Sequence, residues 1–191
     1  ELIARKIHKK SKRNNKPFII LNGALLDSSK YQTELFGEEK ENGSISYGAL
    51  EKANKGTLLI DQVSEIPLDI QSKILRVLID QKFKRVNGNN DINVDVRLIC
   101  SSSKDLKEEI LIGNFREDLY HRLNVFEINI KPLSERLSDI PILIKYFTKK
   151  ISEGYKIKDF IIDENDTYIL NHNWQGNVRE LRNLIERIAI L

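Results

Sequence analysis

The 191-residue sequence has no methionine, one cysteine and one tryptophan, and no apolar run of membrane-spanning length. Each shortage excludes something. A lone Cys100 cannot close an intrachain disulfide. It lies in an apolar run, the usage of a protein kept in a reducing cytoplasm. A membrane helix needs about 20 consecutive apolar residues, so no membrane partner is expected, and neither is a leader peptide, since Glu1 leads straight into an amphipathic segment. The three histidines, His8, His121 and His172, are scattered. They lack the spacing of a metal site. Neither sign of charge dominates, since 31 Lys and Arg against 28 Asp and Glu leave a net charge of +3. The densest basic cluster, Lys9, Lys10, Lys12 and Arg13, fits the solvated end of a helix better than a nucleic-acid patch. Without methionine, Glu1 is no natural start, so the chain is expected to be a piece of a longer protein.

What is present describes a globular chain. With 40% hydrophobic and 31% charged residues, 191 residues can build one large domain, or a core with a small appendage. The most informative string is Gly56-Thr57-Leu58-Leu59-Ile60-Asp61-Gln62. A buried strand ending in Asp is how a nucleoside-triphosphatase core holds the Mg²⁺ of its nucleotide. The next position usually carries the group that activates water. Here it is Gln62, which cannot accept a proton.

The hydrophobic pattern alternates strands with helices. A helix opens the chain, with Leu2, Ile3, Ala4 and Ile7 as its apolar stripe. Phe18 to Leu21 forms a strand that ends at Asn22. A helix over 28–36 closes at Gly37, a polar loop covers 38–47, and a short helix covers 48–54. Pro67 starts the next helix, Phe83 to Asn90 suggests a hairpin, and Val94 to Cys100 is another buried strand. Leu106 to Ile112 is helical, and Val125 to Ile130 is a last strand closed by Pro132. Helices follow over 135–153, 163–172 and 177–191, with Asn177 as an N-cap and Glu180 in its capping box. The expectation is an α/β fold: a mostly parallel sheet with helices on both faces over 1–131, then a small helical subdomain over 132–191.

Several strings then converge: Glu34-Leu35-Phe36-Gly37, the GTLLIDQ segment, Leu75-Arg76-Val77-Leu78, the run from Phe115 to Asn124 that reads FREDLYHRLN, and the run from Trp174 to Leu181 that reads WQGNVREL. In order and spacing they resemble the AAA+ ATPase domain of bacterial sigma-54-dependent enhancer-binding response regulators, of the NtrC/NtrX type and its NtrX-like branch. The resemblance covers nearly the whole chain. It implies a P-loop NTPase core with a helical lid, ATP and Mg²⁺ as cofactors, and a ring of like subunits. It also implies a role in two-component transcription regulation, with an RNA polymerase sigma factor as a partner and DNA reached only through a domain outside this chain. Residue by residue, Asp61 would hold Mg²⁺ and Gln62 stands where the water-polarising acid normally is. Asn22 would be the switch residue, and Ser103 takes the sensor I position. Arg116 and Arg122 match arginine fingers that reach a neighbour's γ-phosphate, and Arg179 matches the sensor II arginine. Leu133, Arg136 and Ile140 fall where the adenine is normally bordered. Taken without the string match, Arg116 and Arg122 interleave with Glu117 and Asp118 and read as surface ion pairs, and Trp174 reads as a packing residue.

The departures from the family pattern shape the expected function. The phosphate-cradling loop would lie immediately before Glu1, and its loss would leave a free sheet edge. Gln62 is a poor general base, a change that costs about 10² to 10⁴ in rate, although an amide can still orient a water. The sigma-contacting loop, which follows the Glu39-Lys40 pair, is short and lacks its Phe-Thr pair. Gln175 and Ser134 replace the usual Pro and Arg. Three readings stay open: an ATP-binding regulator module that hydrolyses weakly and does not remodel sigma-54, a working sigma-54 activator ATPase, and a non-enzymatic interaction domain.

Overall fold

The computed structural model describes residues 1–27, 30–158, 160–163 and 166–190. They form two compact units, Glu1–Glu127 and Ile128–Leu191. The 131/132 boundary proposed from the sequence falls just inside the second.

Along the first unit run α1 (Leu2–Lys9), β1 (Phe18–Asn22), α2 (Tyr31–Phe36), β2 (Glu38–Glu39), β3 (Ile45–Ser46), α3 (Ala49–Lys52), β4 (Thr57–Asp61), α4 (Leu68–Asp80), β5 (Lys82–Lys84), β6 (Asp91–Asn93), β7 (Arg97–Cys100), α5 (Leu106–Leu111) and α6 (Glu117–Leu123). The central sheet is parallel, in the order β1-β4-β7. As the middle strand, β4 is buried on both faces over Thr57 to Ile60, which is why its sequence is an unbroken apolar run. The register sets Asn22 opposite Asp61, and Leu21 and Cys100 on either side of Ile60. Parallel pairing thus gathers Asn22, Asp61 and the residues after Cys100 at one edge. The core holds Leu58, Ile60, Ile66, Ile70, Leu35 and Leu119, with Phe36 against Phe83.

Several expectations are corrected. In α1 the expected stripe is split: Leu2 is 85% exposed and Ile3 is exposed too, while Ala4 is buried together with His8. Those two lie four residues apart, so they share a face. His8 Nδ1 is 2.9 Å from Thr57 Oγ1, and its ring packs on Phe18. The stretch read as a loop over 38–47 contains the two-stranded pair β2-β3, closed by Lys40 N–H to Ser44 O at 2.9 Å and Gly43 N–H to Lys40 O at 2.8 Å. Strand β7 begins at Arg97 rather than Val94. The preceding backbone is spent elsewhere, on Val94 N–H to Gln81 O, Asp95 N–H to Asn54 Oδ1 and Asp95 O from Arg13. The expected hairpin forms as β5-β6, with Phe83 opposite Ile92. Val125 to Ile130 makes no strand among the described residues. Its apolar side chains stand exposed at Val125, Phe126, Ile128 and Ile130. Residues 28 and 29 of the helix expected over 28–36 lie outside the described residues, and so do 164, 165 and 191 of the later helices.

In the second unit, short 3-10 turns at Leu133–Glu135 and Leu137–Asp139 precede α7 (Ile140–Tyr155), with α8 (Thr167–Asn171) and α9 (Asn177–Ile190) following. The helix expected from 135 therefore starts at 140, with Pro141 in its first turn, where its missing N–H costs nothing. Leu133, Ile140, Ile144, Trp174, Leu181 and Ile185 fill this unit's core. Asn177 does not cap its own helix. Its Oδ1 accepts from Leu133 N–H at 2.7 Å, and Glu180 takes the Gly176 N–H at 2.9 Å.

Candidate functional site

Two adjacent residues end the middle strand, and two serines from the segment after β7 hold them. Ser101 Oγ–H donates to Asp61 Oδ1. The Ser101 backbone closes the pair, with Ser101 N–H on Ile60 O at 3.0 Å and Val63 N–H on Ser101 O at 2.8 Å. Ser103 holds the next residue: its N–H and its Oγ–H both donate to Gln62 Oε1, at 3.0 and 2.9 Å. Gln62 takes a left-handed backbone (φ 58°, ψ 57°). Its carbonyl lies against Gly23, where a Cβ would meet Gln62 O at 2.5 Å. The tight approach at Gly23 is therefore part of the site's geometry. This edge, at the carboxyl ends of parallel strands, is where open α/β sheets bind ligands.

Asn22 stands beside Asp61 in register, and its Oδ1 caps the following turn by accepting from Ala24 N–H at 3.0 Å. Among the described residues no hydrogen bond joins it to Gln62. Below the site, the Lys104 ammonium sits 2.9 Å from Glu65 Oε1 and holds that carboxyl below its usual range. Burial pushes the Cys100 thiol up to about 12, so it stays protonated and inert.

Arg116 and Arg122 are carried at and within α6, outside the Asp61 cluster. Arg116 forks onto Asp118 at 3.0 and 2.7 Å, and Arg122 donates to Leu78 O at 3.1 Å. Both side chains are exposed. The backbone at Arg116 is fixed from beneath by Gln71, wholly buried, which accepts from Arg116 N–H at 2.9 Å and donates to Ile66 O and Asn114 O. In the second unit, Arg179 is exposed on the first turn of α9. Arg136 is half-buried and pairs with Asp139 at 3.0 Å. Leu133 and Ile140, expected to border adenine, are 0% exposed and sit in that unit's core. Trp174 packs there too, its Nε1–H on Ile169 O at 3.0 Å.

Away from Asp61, an open cleft of about 530 Å³ lies between the β2-β3 hairpin and the Asn87-Asn90 turn. Arg85 joins its walls, with Glu39 at 2.9 Å and Glu51 at 2.7 Å. Sequence reasoning did not find Ser101, Gln71 or Arg85. The only signal for Ser101 was a run of three serines directly after a buried strand.

Comparison with known proteins decides the family. The sigma-54 interaction domain model matches residues 1–129, and the AAA+ ATPase lid domain model matches residues 134–191. The chain belongs to the sigma-54 interaction domain family. It is 44% identical over 193 residues to the nitrogen assimilation regulatory protein NtrX of Azorhizobium caulinodans, covering 100% of this chain and 42% of that protein. Crystal structures of NtrX from Brucella abortus in complex with ADP and with ATP superpose with TM-scores of 0.93 and 0.92, each at 43% identity over 99% of this chain and 42% of theirs. The chain thus spans about two fifths of the relatives it matches. In this sigma-54 interaction domain the AAA+ fold is shown for both parts, an α/β core with a parallel sheet and a helical lid.

Proposed function

We propose that this sigma-54 interaction domain is the nucleotide-binding module of an NtrX-like transcription regulator, binding ATP with Mg²⁺ and hydrolysing it weakly. The observation that carries the proposal is Asp61 at the carboxyl end of the central strand, with Oδ1 engaged by Ser101 and, among the described residues, no hydrogen bond at Oδ2. Mg²⁺ is bound through one or two carboxylates plus phosphate oxygens and waters, which such an Asp suits, and bound Mg²⁺ would neutralise charge on the phosphates. The ATP and ADP complexes of the Brucella NtrX support the nucleotide itself.

The other residues follow in role. Gln62 replaces the base, so turnover is slow. Asn22 marks the switch position and Ser103 the sensor. Arg116, exposed just before α6, and Arg122, exposed within it, serve as fingers to a second copy in a ring, and breaking the exposed Arg116–Asp118 pair costs little. Arg179 and Arg136 supply the lid's cations, while Leu133 and Ile140 act through lid packing. The β2-β3 hairpin, folded back by Lys40 and Ser44 and tied to Arg85, is too short to engage sigma-54.

The test uses the natural full-length protein. Nucleotide titration should show Mg²⁺-dependent ATP binding with turnover near background, and Gln62→Glu should raise turnover by about 10² to 10⁴. Robust wild-type turnover, abolished by Arg116→Ala, would instead mark a working activator. Undetectable nucleotide binding would leave an interaction domain.

A further inference from the structure

The central sheet has a second edge, opposite Asp61, where its strands begin. Phe18, Thr57 and Arg97 start β1, β4 and β7 side by side in register. The backbone is tied there by Thr57 N–H on Pro17 O at 2.9 Å and Arg97 N–H on Gly56 O at 3.1 Å. Lys16, Lys55 and Arg97 therefore enter on three neighbouring strands, and all three are exposed. Neighbouring strands lie about 5 Å apart, so the row spans about 10 Å.

Arg13 draws more cations to this edge. Its guanidinium donates to Gly56 O at 3.1 Å, to Asp95 O at 2.9 Å and to Asp95 Oδ1 at 2.7 Å. It thereby pairs Asp95, the acid whose carbonyl also accepts from Lys55 N–H at 2.7 Å. Lys9, Lys10 and Lys12 stand exposed on the end of α1 and the turn that carries Arg13. No Asp or Glu occurs between Glu1 and Asp27. Among the described residues no ion pair engages Lys9, Lys10, Lys12, Lys16, Lys55 or Arg97.

Taken in sequence, the Lys9 to Arg13 cluster fits the solvated end of a helix, and cations there suit the negative end of the helix dipole. Neither reason reaches Lys16, Lys55 and Arg97, which lie outside α1 and come from distant parts of the chain. Lys55 also takes a left-handed backbone (φ 60°), a conformation that glycine adopts without steric cost. The chain places a lysine there instead.

The chemistry of the patch narrows its partner. All of the unpaired cations but Arg97 are lysines. A lysine is a point charge on a flexible stem, whereas the planar fork of arginine suits a carboxylate at two points. Lysines in a row thus fit phosphates along a backbone better than the carboxylates of an acidic protein. No exposed aromatic ring belongs to α1, the turn after it or the starts of the three strands. The Phe18 ring is covered by Arg5 and His8, so unpaired bases would find nothing to stack on.

We infer that the starting edge of the sheet, with the end of α1, is a contact surface for the phosphate backbone of duplex DNA, independent of base sequence. The family resemblance puts DNA recognition in a domain outside this chain, and this surface adds a non-specific hold by the domain itself. It lies at the opposite end of the strands from Asp61 and does not depend on the nucleotide reading.

The test uses the natural full-length protein and a duplex of random sequence. Lysine acetylation read by mass spectrometry should show Lys12, Lys16 and Lys55 protected by the duplex, with Lys149 and Lys150 of the second unit unchanged. Lys12→Gln, Lys16→Gln and Lys55→Gly together remove three cations, and glycine suits the backbone at 55. Each phosphate neutralised on B-DNA adds about 0.9 to the slope of log affinity against log salt. The triple variant's slope should therefore be shallower by about 2 to 3. Unprotected lysines, or protection spread equally over Lys149 and Lys150, overturn the inference, and this readout needs no variant to fold. An unchanged slope in a variant with the wild-type urea midpoint overturns it too. So does equal protection by a single-stranded oligonucleotide, or protection by phosphatidylglycerol vesicles in place of the duplex.

Discussion

A residue with a side chain takes the left-handed backbone of Gln62 (φ 58°) at a cost of about 1–2 kcal/mol. Such a conformation persists only where its surroundings over-determine it. Here they do: Ser101 bonds the backbone on both sides of the bend, and Gly23 presses on the Gln62 carbonyl. An alanine at Gly23 has no free space, since its Cβ would lie 2.5 Å from Gln62 O and 3.2 Å from Asp61 O. Both obstacles are backbone atoms, which cannot rotate away. Gly23→Ala is therefore expected to destabilise the fold by about 1–3 kcal/mol and to weaken nucleotide binding by displacing the end of β4. Urea denaturation and nucleotide titration of the same variant check the two effects. An unchanged midpoint with unchanged affinity would show that the Asp61-Gln62 corner yields freely.

At the scale of elements, the turn between α5 and α6 depends on one side chain from α4. Gln71 spends all its near-neighbour bonding on backbone: Ile66 O at 2.7 Å, Asn114 O at 3.0 Å and Arg116 N–H at 2.9 Å. Gln71→Leu fills the same space and strands those groups, each at about 1–3 kcal/mol where water cannot reach. With Asn114 and Arg116 near the surface, the expected total is about 2–4 kcal/mol, measured by chemical denaturation. A loss below about 0.5 kcal/mol, the range of ordinary surface changes, would mean the turn holds without it. Gln71 also shows what the sequence conceals. It sits in the helix expected from Pro67, beside Ile70, Ile74 and Val77, which are buried with it, yet the partners that make it matter lie up to 45 residues away along the chain. Ser101 and Arg85 were hidden for the same reason. Asp61 and Gln62 were legible because a contiguous apolar run ends on them. The strand expected at Val125 to Ile130 failed differently. Alternation reports two unlike faces, but a strand also needs a neighbour to bond to, and periodicity cannot say whether one is there. The α1 stripe failed at Leu2 and Ile3 because the inner face is set by Ala4 and His8, and the His8–Thr57 bond that selects it joins residues 49 apart along the chain.

The molecule as a whole has two cores, each filled by residues of its own unit, and a single tryptophan that reports on only one of them. Trp174 is 1% exposed in the core of the second unit. The same unit contains a carboxylate that folding holds below its usual range. Glu180 accepts from His172 at 2.7 Å and from Gly176 N–H at 2.9 Å, with the His172 bond the larger cause. A carboxylate lowered in the folded state adds stability above its unfolded value near 4.5, and that stability is lost as pH falls through the lower folded value. Unfolding in urea, followed by Trp174 fluorescence, should therefore hold a steady midpoint down to about pH 5 and decline below it. Glu180→Gln removes the titrating group: its midpoint should be lower at pH 6 and flatter through the acid range. Because His172 also stacks on Tyr168 and meets the Trp174 ring edge-on, the loss at Glu180 reaches the fluorophore directly. Far-UV circular dichroism of the same samples is dominated by the first unit's sheet and helices together with α7 and α9, so the substitution should move the fluorescence transition further than the dichroism one. Equal shifts by both probes would mean that the two units unfold as one cooperative body, and an acid decline unaltered by Glu180→Gln would place the titration elsewhere in the lid.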